Sequence, residues 1–316
     1  MSNDDVNRHP YIPQLQPAKQ VIDAIANYCG RADRNGNDWK CKCPICGRHS
    51  LSVTRGFKVP ILVRCWHCES IGLNDGYSEH LKLFVEAGLL PPNSHTIEKL
   101  TPKEREEHRT AKREAAVRLW ERLSPIRHGY EAANYLKARG LESFIGLTAL
   151  RCAGPTFHRP TGDWRPTLAA RMYHVHYGLC AVQLTYLKWD GSDRARSIKP
   201  GRMTYGSMEG GAVWIRAPRG DEEFVVAEGL ETCLSAMLLL NLRCGAAVLG
   251  AHMRDLVFPN AARNVHIAAD NDETGRKAAE YTAKIWRARG LKVRVSVPDT
   301  EGQDFNDVLL GKGVKQ

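Results

Sequence analysis

No stretch of this 316-residue chain is long and apolar enough to span a membrane. The best run, 233–250, is broken by Asn241 and Arg243. The first ten residues are polar and acidic, without the basic and then apolar regions of a secretory leader, so a cytoplasmic protein with no membrane partner is expected. No G-x-x-x-x-G-K-[ST] occurs, which excludes a fused P-loop motor. Internal repeats and low-complexity tracts are also lacking.

Acidic residues are scarce only in the front of the chain. Before position 221 there are 21 Asp+Glu against 33 Lys+Arg; from 221 onward there are 14 against 12. The whole carries a formal charge of +10, with 43% hydrophobic and 25% charged residues. That is an ordinary globular composition, with length for two or three domains. A basic front suits a polyanion, and an acidic rear suits cations or chemistry. In a reducing compartment, the ten cysteines read as ligands or core residues before disulfides.

The pattern predicts a short helix over 17–28, from Val21, Ile22, Ile25 and Ala26. Short β-like pieces follow over 38–71, and 91–94 is a break rich in proline. Residues 101–123 read as an exposed helical linker with Ala115, Leu119 and Leu123 on one face. A helix is expected over 131–139, and paired strands over 167–189 turning at Tyr177-Gly178. Farther on, strands at 224–227, 246–249, 265–269 and 292–297 alternate with helices at 231–240, 273–289 and 304–310. Such alternation implies a mostly parallel sheet covered by helices, with chemistry at the carboxyl ends of the strands.

Two Cys-x-x-Cys pairs, Cys43/Cys46 and Cys65/Cys68, are separated by eighteen residues. This is the spacing of a four-thiolate ribbon holding one structural Zn²⁺, with Cys41 and His67 as neighbours able to replace a ligand. Lys40, Lys42, Arg48, Arg55, Lys58 and Arg64 interleave with Trp39, Phe57 and Trp66. Cations for phosphates and aromatic faces for bases make a single-stranded nucleic-acid surface, with Arg48, Arg64 and Trp66 as its principal candidates.

At the expected strand ends stand Glu228, then Asp270 and Asp272, then Asp304 and Asp307. Clustered carboxylates repel one another, and a hard ion such as Mg²⁺ or Mn²⁺ relieves the repulsion while accepting phosphate oxygens. Taken singly, such an acid is more often a helix cap, as Asp272 would be for the following helix.

The segments Val226-Ala-Glu228-Gly-Leu-Glu231-Thr232, Ala269-Asp270-Asn-Asp272-Glu-Thr-Gly275 and Gln303-Asp304-Phe-Asn306-Asp307 resemble the three signatures of Toprim domains. With a zinc ribbon ahead, the layout is similar to that of bacterial-type primases, including those of phages, plasmids and other mobile elements. Tyr135-Leu-Lys-Ala-Arg139-Gly-Leu141, the basic run Arg194-Ala-Arg196-Ser-Ile-Lys199-Pro200 and Gly210-Gly211-Ala-Val213 resemble further segments of such primases. Three departures stand out. Thr232 occupies a position where main-line primases carry an acid, Asn306 replaces an aspartate, and Cys46 replaces a histidine ligand.

The resemblance implies a zinc-ribbon domain with an N-terminal helix over 1–90, a charged helical linker over 91–125, a basic α+β subdomain over 126–220 and a Toprim catalytic domain over 221–316. It implies primer RNA synthesis on single-stranded DNA from nucleoside triphosphates, with any replicative helicase or initiator supplied separately. Glu228, Asp270 and Asp272 would be catalytic, joined by Asp304 and Asp307 as Mg²⁺ or Mn²⁺ ligands. Glu228 would be a ligand or the base, and Lys188, Arg194, Arg196, Lys199 and Arg202 would meet nucleotide or template phosphates. A Toprim nuclease and a non-catalytic DNA-binding module are the alternative readings.

Overall fold

The structure is a computed structural model that describes residues 16–30, 33–35, 38–54, 61–70, 77–90, 102–250 and 253–312. The break expected at 91–94 and the candidates Arg55, Phe57 and Lys58 lie outside these residues. The chain divides into two compact units, one formed mainly by 1–101 and the other by 102–158 and 162–316. Among the described residues no helix is long and apolar enough to cross a membrane.

The first unit contains α1 (Gln16–Tyr28), β1 (Asp33–Asn35), β2 (Asp38–Cys41), β3 (Leu51–Thr54), β4 (Leu62–Cys65), α2 (Trp66–Ser70) and α3 (Tyr77–Glu86). Its four strands form an antiparallel sheet in sequence order. Alternation decides the faces: Leu51, Val53, Val63 and Cys65 point inward, while Leu62 and Arg64 point out. Ile22 and Ile25 of α1 and Leu81 and Phe84 of α3 complete that core.

In the second unit, α4 (Pro102–Glu121) opens onto an antiparallel sheet. The sheet runs in sequence order through β5 (Ser124–Pro125), β6 (Leu150–His158), β7 (Asp163–His174), β8 (Gly178–Tyr186) and β9 (Arg202–Gly206), with α5 (Glu131–Ala138) beside β7. Helix α4 rests on β8 and β9 through Ala116 and Trp120. Of the expected face, Leu119 and Leu123 pack into this core, while Ala115 is exposed and Ala116 and Trp120 are buried in its stead.

The remaining elements are β10 (Val213–Arg216), β11 (Glu223–Ala227), α6 (Leu230–Leu239), β12 (Cys244–Ala247), β13 (Asn264–Ala268), α7 (Glu273–Ala288), β14 (Lys292–Ser296) and α8 (Phe305–Leu309). Their sheet has the order β10-β12-β11-β13-β14, parallel except for β10. Strand β12 starts two residues before the expected 246, since Cys244 pairs with Phe224, and the positive φ of Leu249 turns the chain away. Strand order reverses beside β11, so its carboxyl end opens a crevice. Leu168 and Met172 of β7 share a core with Val225, Leu234 and Phe305, joining the two sheets of this unit.

Trp286 on α7 is fully buried, edge-on to Phe258 at 4.8 Å. Truncating it leaves a large cavity under the parallel sheet. Trp286→Ala is expected to destabilise the second unit by about 3–5 kcal/mol, read as a lowered midpoint for that transition in urea followed by circular dichroism.

Candidate functional site

Two parallel strands, β11 and β13, deliver an acid where the backbone leaves the sheet, and the loop beyond β14 brings a third. Glu228 follows β11 and is exposed; Asp270 follows β13 and is half-buried; Asp304 precedes α8. The loops are tied together through Asn271. Its backbone N–H donates to Gln303 O at 2.9 Å, and its Nδ2 donates to Pro298 O at 2.8 Å. This lashing carries Asp304 to the Asp270 edge. Asp272 caps α7, its Oδ1 accepting from Gly275 N at 2.6 Å. A Cβ on Gly275 would lie 2.6 Å from Asp270 O, so only glycine permits the close turn.

Glu228, Asp270 and Asp304 line one cleft of about 450 Å³ together with Arg139, Arg194 and Arg202. Burial, then the charges of Asp304 and Glu228, pushes the Asp270 carboxyl up to about 6. The Thr232 hydroxyl opposes that shift by donating to Asp270 Oδ1 at 3.3 Å. Among the sequence candidates, Asp272 and Asp307 do not line the cleft. Asp272 remains within electrostatic reach of Asp270, whereas Asp307 is buried on α8 with Lys312 Nζ 3.8 Å away. Of the basic candidates, Lys188, Arg196 and Lys199 stand exposed on the loop between β8 and β9, outside the cleft lining.

Sequence reading missed the anchoring of the cleft arginines. Glu231, buried in the first turn of α6, accepts from Arg202 Nη2 at 2.9 Å on each oxygen and from the Tyr135 hydroxyl. Burial alone would raise its carboxyl, but Arg202 and Tyr135 outweigh it and hold the group at about 2. Arg139 pairs with Asp193, and Asn306 binds it from below. The Asn306 amide donates to Arg139 O at 2.8 Å and to Ser235 Oγ at 3.0 Å. The signals were present: Glu231 was visible as a displaced motif acid and Arg139 as part of a quoted segment. Their partners lie too far away in sequence to be paired by pattern.

In the first unit, Cys43, Cys46, Cys65 and Cys68 present sulfurs all within 4.8 Å of one another, the only such ligand group among the described residues. Cys43 Sγ–Cys68 Sγ is 3.7 Å and Cys46 Sγ–Cys65 Sγ is 3.6 Å. A tetrahedron with Zn–S bonds of about 2.3 Å has edges of about 3.8 Å, so these two separations match the edges of a zinc tetrahedron. Within each knuckle the last N–H points at the first sulfur, at 3.5 Å. Cys41 is buried and His67 half-buried, and neither belongs to the set. The missed neighbour is His80 of α3, fully buried with Nε2 3.0 Å from Cys43 Sγ. Outside the ribbon, Trp66 is exposed with Arg64 stacked 3.9 Å over its ring, and Arg48 is exposed nearby in sequence. Trp39 is half-buried and donates to Asp23.

The raised Asp270 group binds its proton more tightly in the folded chain than in the unfolded one. Its contribution to stability is therefore full below about pH 4 and lost as pH rises through about 6. Metal-free Asp270→Asn is expected to melt above the parent at pH 7.5, with the gain vanishing near pH 4. Added Mg²⁺ should stabilise the parent more than the variant; equal melting curves across this range would refute the reading.

Residues 223–315 match the family described as Toprim domain, and residues 110–215 match a domain of unknown function (DUF7146). No curated protein matches in sequence. Among solved structures, the chain is similar to a DNA primase domain from Pseudomonas aeruginosa, at 18% identity and TM-score 0.44 over 64% of this chain and 75% of that one. It is similar also to the RNA polymerase domain of the Mycobacterium tuberculosis primase DnaG, at 14% identity and TM-score 0.43 over 64% and 79%. The primase fragment of the bacteriophage T7 primase-helicase protein aligns over 89% of this chain and 96% of that one, at 14% identity and TM-score 0.37. The three acids at the carboxyl edge of this mostly parallel sheet all fall within the stretch that matches the Toprim-domain family.

Proposed function

We propose that the chain is a primase, joining nucleoside triphosphates into short RNA primers on single-stranded DNA. The observation that carries this reading is the shared cleft, where Glu228, Asp270 and Asp304 stand with Arg139, Arg194 and Arg202. Carboxylates alone serve a cation; carboxylates beside arginines serve a cation together with a polyphosphate.

The three acids do not converge within 4.8 Å, so a Mg²⁺ or Mn²⁺ ion would take one or two of them and fill its remaining positions with water and phosphate oxygens. Glu228, Asp270 and Asp304 would hold it, with Asp272 at the rim. When bound, the ion supplies neutralisation of the triphosphate and of the attacking oxygen. A 3′-hydroxyl oxygen attacks the α-phosphorus, the bond to pyrophosphate breaks, and the hydroxyl proton passes to a base. Glu228, exposed in the cleft, is suited to take it where it is not itself a ligand. The arginines neutralise charge gathering on the departing pyrophosphate. Lys188, Arg196 and Lys199 on the neighbouring loop would track the template backbone.

Cys43, Cys46, Cys65 and Cys68 would bind one structural zinc, closed to chemistry because all four positions are protein ligands. Arg48, Arg64 and Trp66 around that ribbon would contact single-stranded template. Domain divisions near 90, 125 and 220 belong to the same reading, as does a separate helicase or initiator.

The test is synthesis on single-stranded DNA of varied sequence with labelled nucleoside triphosphates and Mg²⁺ or Mn²⁺, end-labelled template being followed in parallel. Short products made by the parent and reduced at least about a thousandfold in Asp270→Asn/Asp272→Asn are expected. Shortened template without new product would make the protein a nuclease, and tight DNA binding with neither product would make it a binding module. Purified chain should contain one zinc by elemental analysis. Chelation should open 1–101 to proteolysis while 102–312 stays resistant; a metal-free chain indifferent to chelators would refute the ribbon.

A further inference from the structure

Arg202 begins β9 and Glu231 stands in the first turn of α6, so their pairing joins the antiparallel sheet to the mostly parallel one. The geometry is lopsided. Both hydrogen bonds come from Nη2, while Nε and Nη1 of Arg202 make none to a described residue. The Arg202 side chain is 36% exposed against 11% for Glu231, so the anchor is hidden and the guanidinium reaches the cleft. Tyr135 ties in the second arginine: its hydroxyl holds Glu231 while the Arg139 guanidinium lies 5.2 Å over its ring. Arg139 in turn is fixed by Asp193 and by both ends of the Asn306 amide.

Stability alone does not account for this network. Burying an ion pair costs desolvation that apolar residues of similar volume avoid, so such a pair is weak evidence for a stabilising role. What the anchors do supply is orientation. A guanidinium held by a carboxylate keeps its remaining donors in a fixed fork, already ordered before any anion arrives.

We propose that Glu231 is a positioning residue that, with Tyr135, holds Arg202 beside Arg139 as a preset pair of guanidinium groups receiving the polyphosphate of the substrate. The proposal rests on the nucleotidyl-transfer reading for the identity of the substrate, though not for its anion chemistry.

Two readouts separate the inference from that reading. One is binding of inorganic triphosphate with Mg²⁺ by calorimetry; the other is KM for nucleoside triphosphate in primer synthesis. Glu231→Gln and Arg202→Lys should each weaken triphosphate binding and raise KM about tenfold, the scale of one charged hydrogen bond, with any further loss falling on kcat because the same arginine meets the departing pyrophosphate. Their double variant should be no worse than the poorer single, because the two act as one unit. Tyr135→Phe, which removes only a hydroxyl, should give a smaller rise of about threefold and guards against a Glu231→Gln chain that fails to fold. A parent that binds no triphosphate, or variants with lower melting temperatures but unchanged affinity and KM, would overturn the inference. Triphosphate binding lost in the variants, in a parent that makes no primer, would support the anion site and sink only the primase reading.

Discussion

Repulsion among the carboxylates at one sheet edge is the constraint around which the second unit is arranged. Glu228, Asp270 and Asp304 come from separate loops, and nothing in strand pairing requires them to meet. They meet because the strand order reverses beside β11 and because Asn271 lashes the loop after β13 to the loop before α8. The cost shows in Asp270, whose carboxyl rises to about 6 through burial and its acidic neighbours. A bound cation would relieve that repulsion.

Much of this could be read from residue order. Apolar runs alternating with amphipathic stretches gave the four parallel strands and their helices, with ends misplaced by one or two residues. The paired cysteines identified their cluster because a Cys-x-x-Cys turn offers both sulfurs on one side whatever surrounds it. Glu228 and Asp270 were legible because each stands within two residues of a strand end, whereas Asp304 comes eight residues after β14, at the N-terminus of α8. What pattern could not reach were contacts across long separations. Tyr135 and Glu231 are 96 residues apart, and Arg139 and Asn306 are 167. Hydropathy predicts an exposed glutamate at 231; only the folded chain shows that Arg202 makes its burial tolerable. The face of α4 was read correctly at Leu119 and Leu123 and missed at Ala115. Its mean composition is so polar that periodicity fixes its phase weakly, and one tryptophan decides it.

The positions that depart from the primase pattern which the sequence resembles make sense as charge balance. Thr232 stands where that pattern has an acid, and here its hydroxyl donates to Asp270, easing a carboxylate that another negative group would crowd. Asn306 replaces an aspartate, and its neutral amide uses donor and acceptor at once: Nδ2 serves Arg139 O and Ser235 Oγ while Oδ1 faces the Arg139 guanidinium. A carboxylate there could not donate, and would set an oxygen against the Arg139 carbonyl. Glu231, one residue before Thr232, turns inward to hold Arg202 and leaves the cleft with the arginine's remaining donors. Thr232, Asn306 and Glu231 act in one direction. They trim negative charge near Asp270 and fix positive charge beside it, so the cleft sets arginines against its carboxylates where further acids would have added to the repulsion.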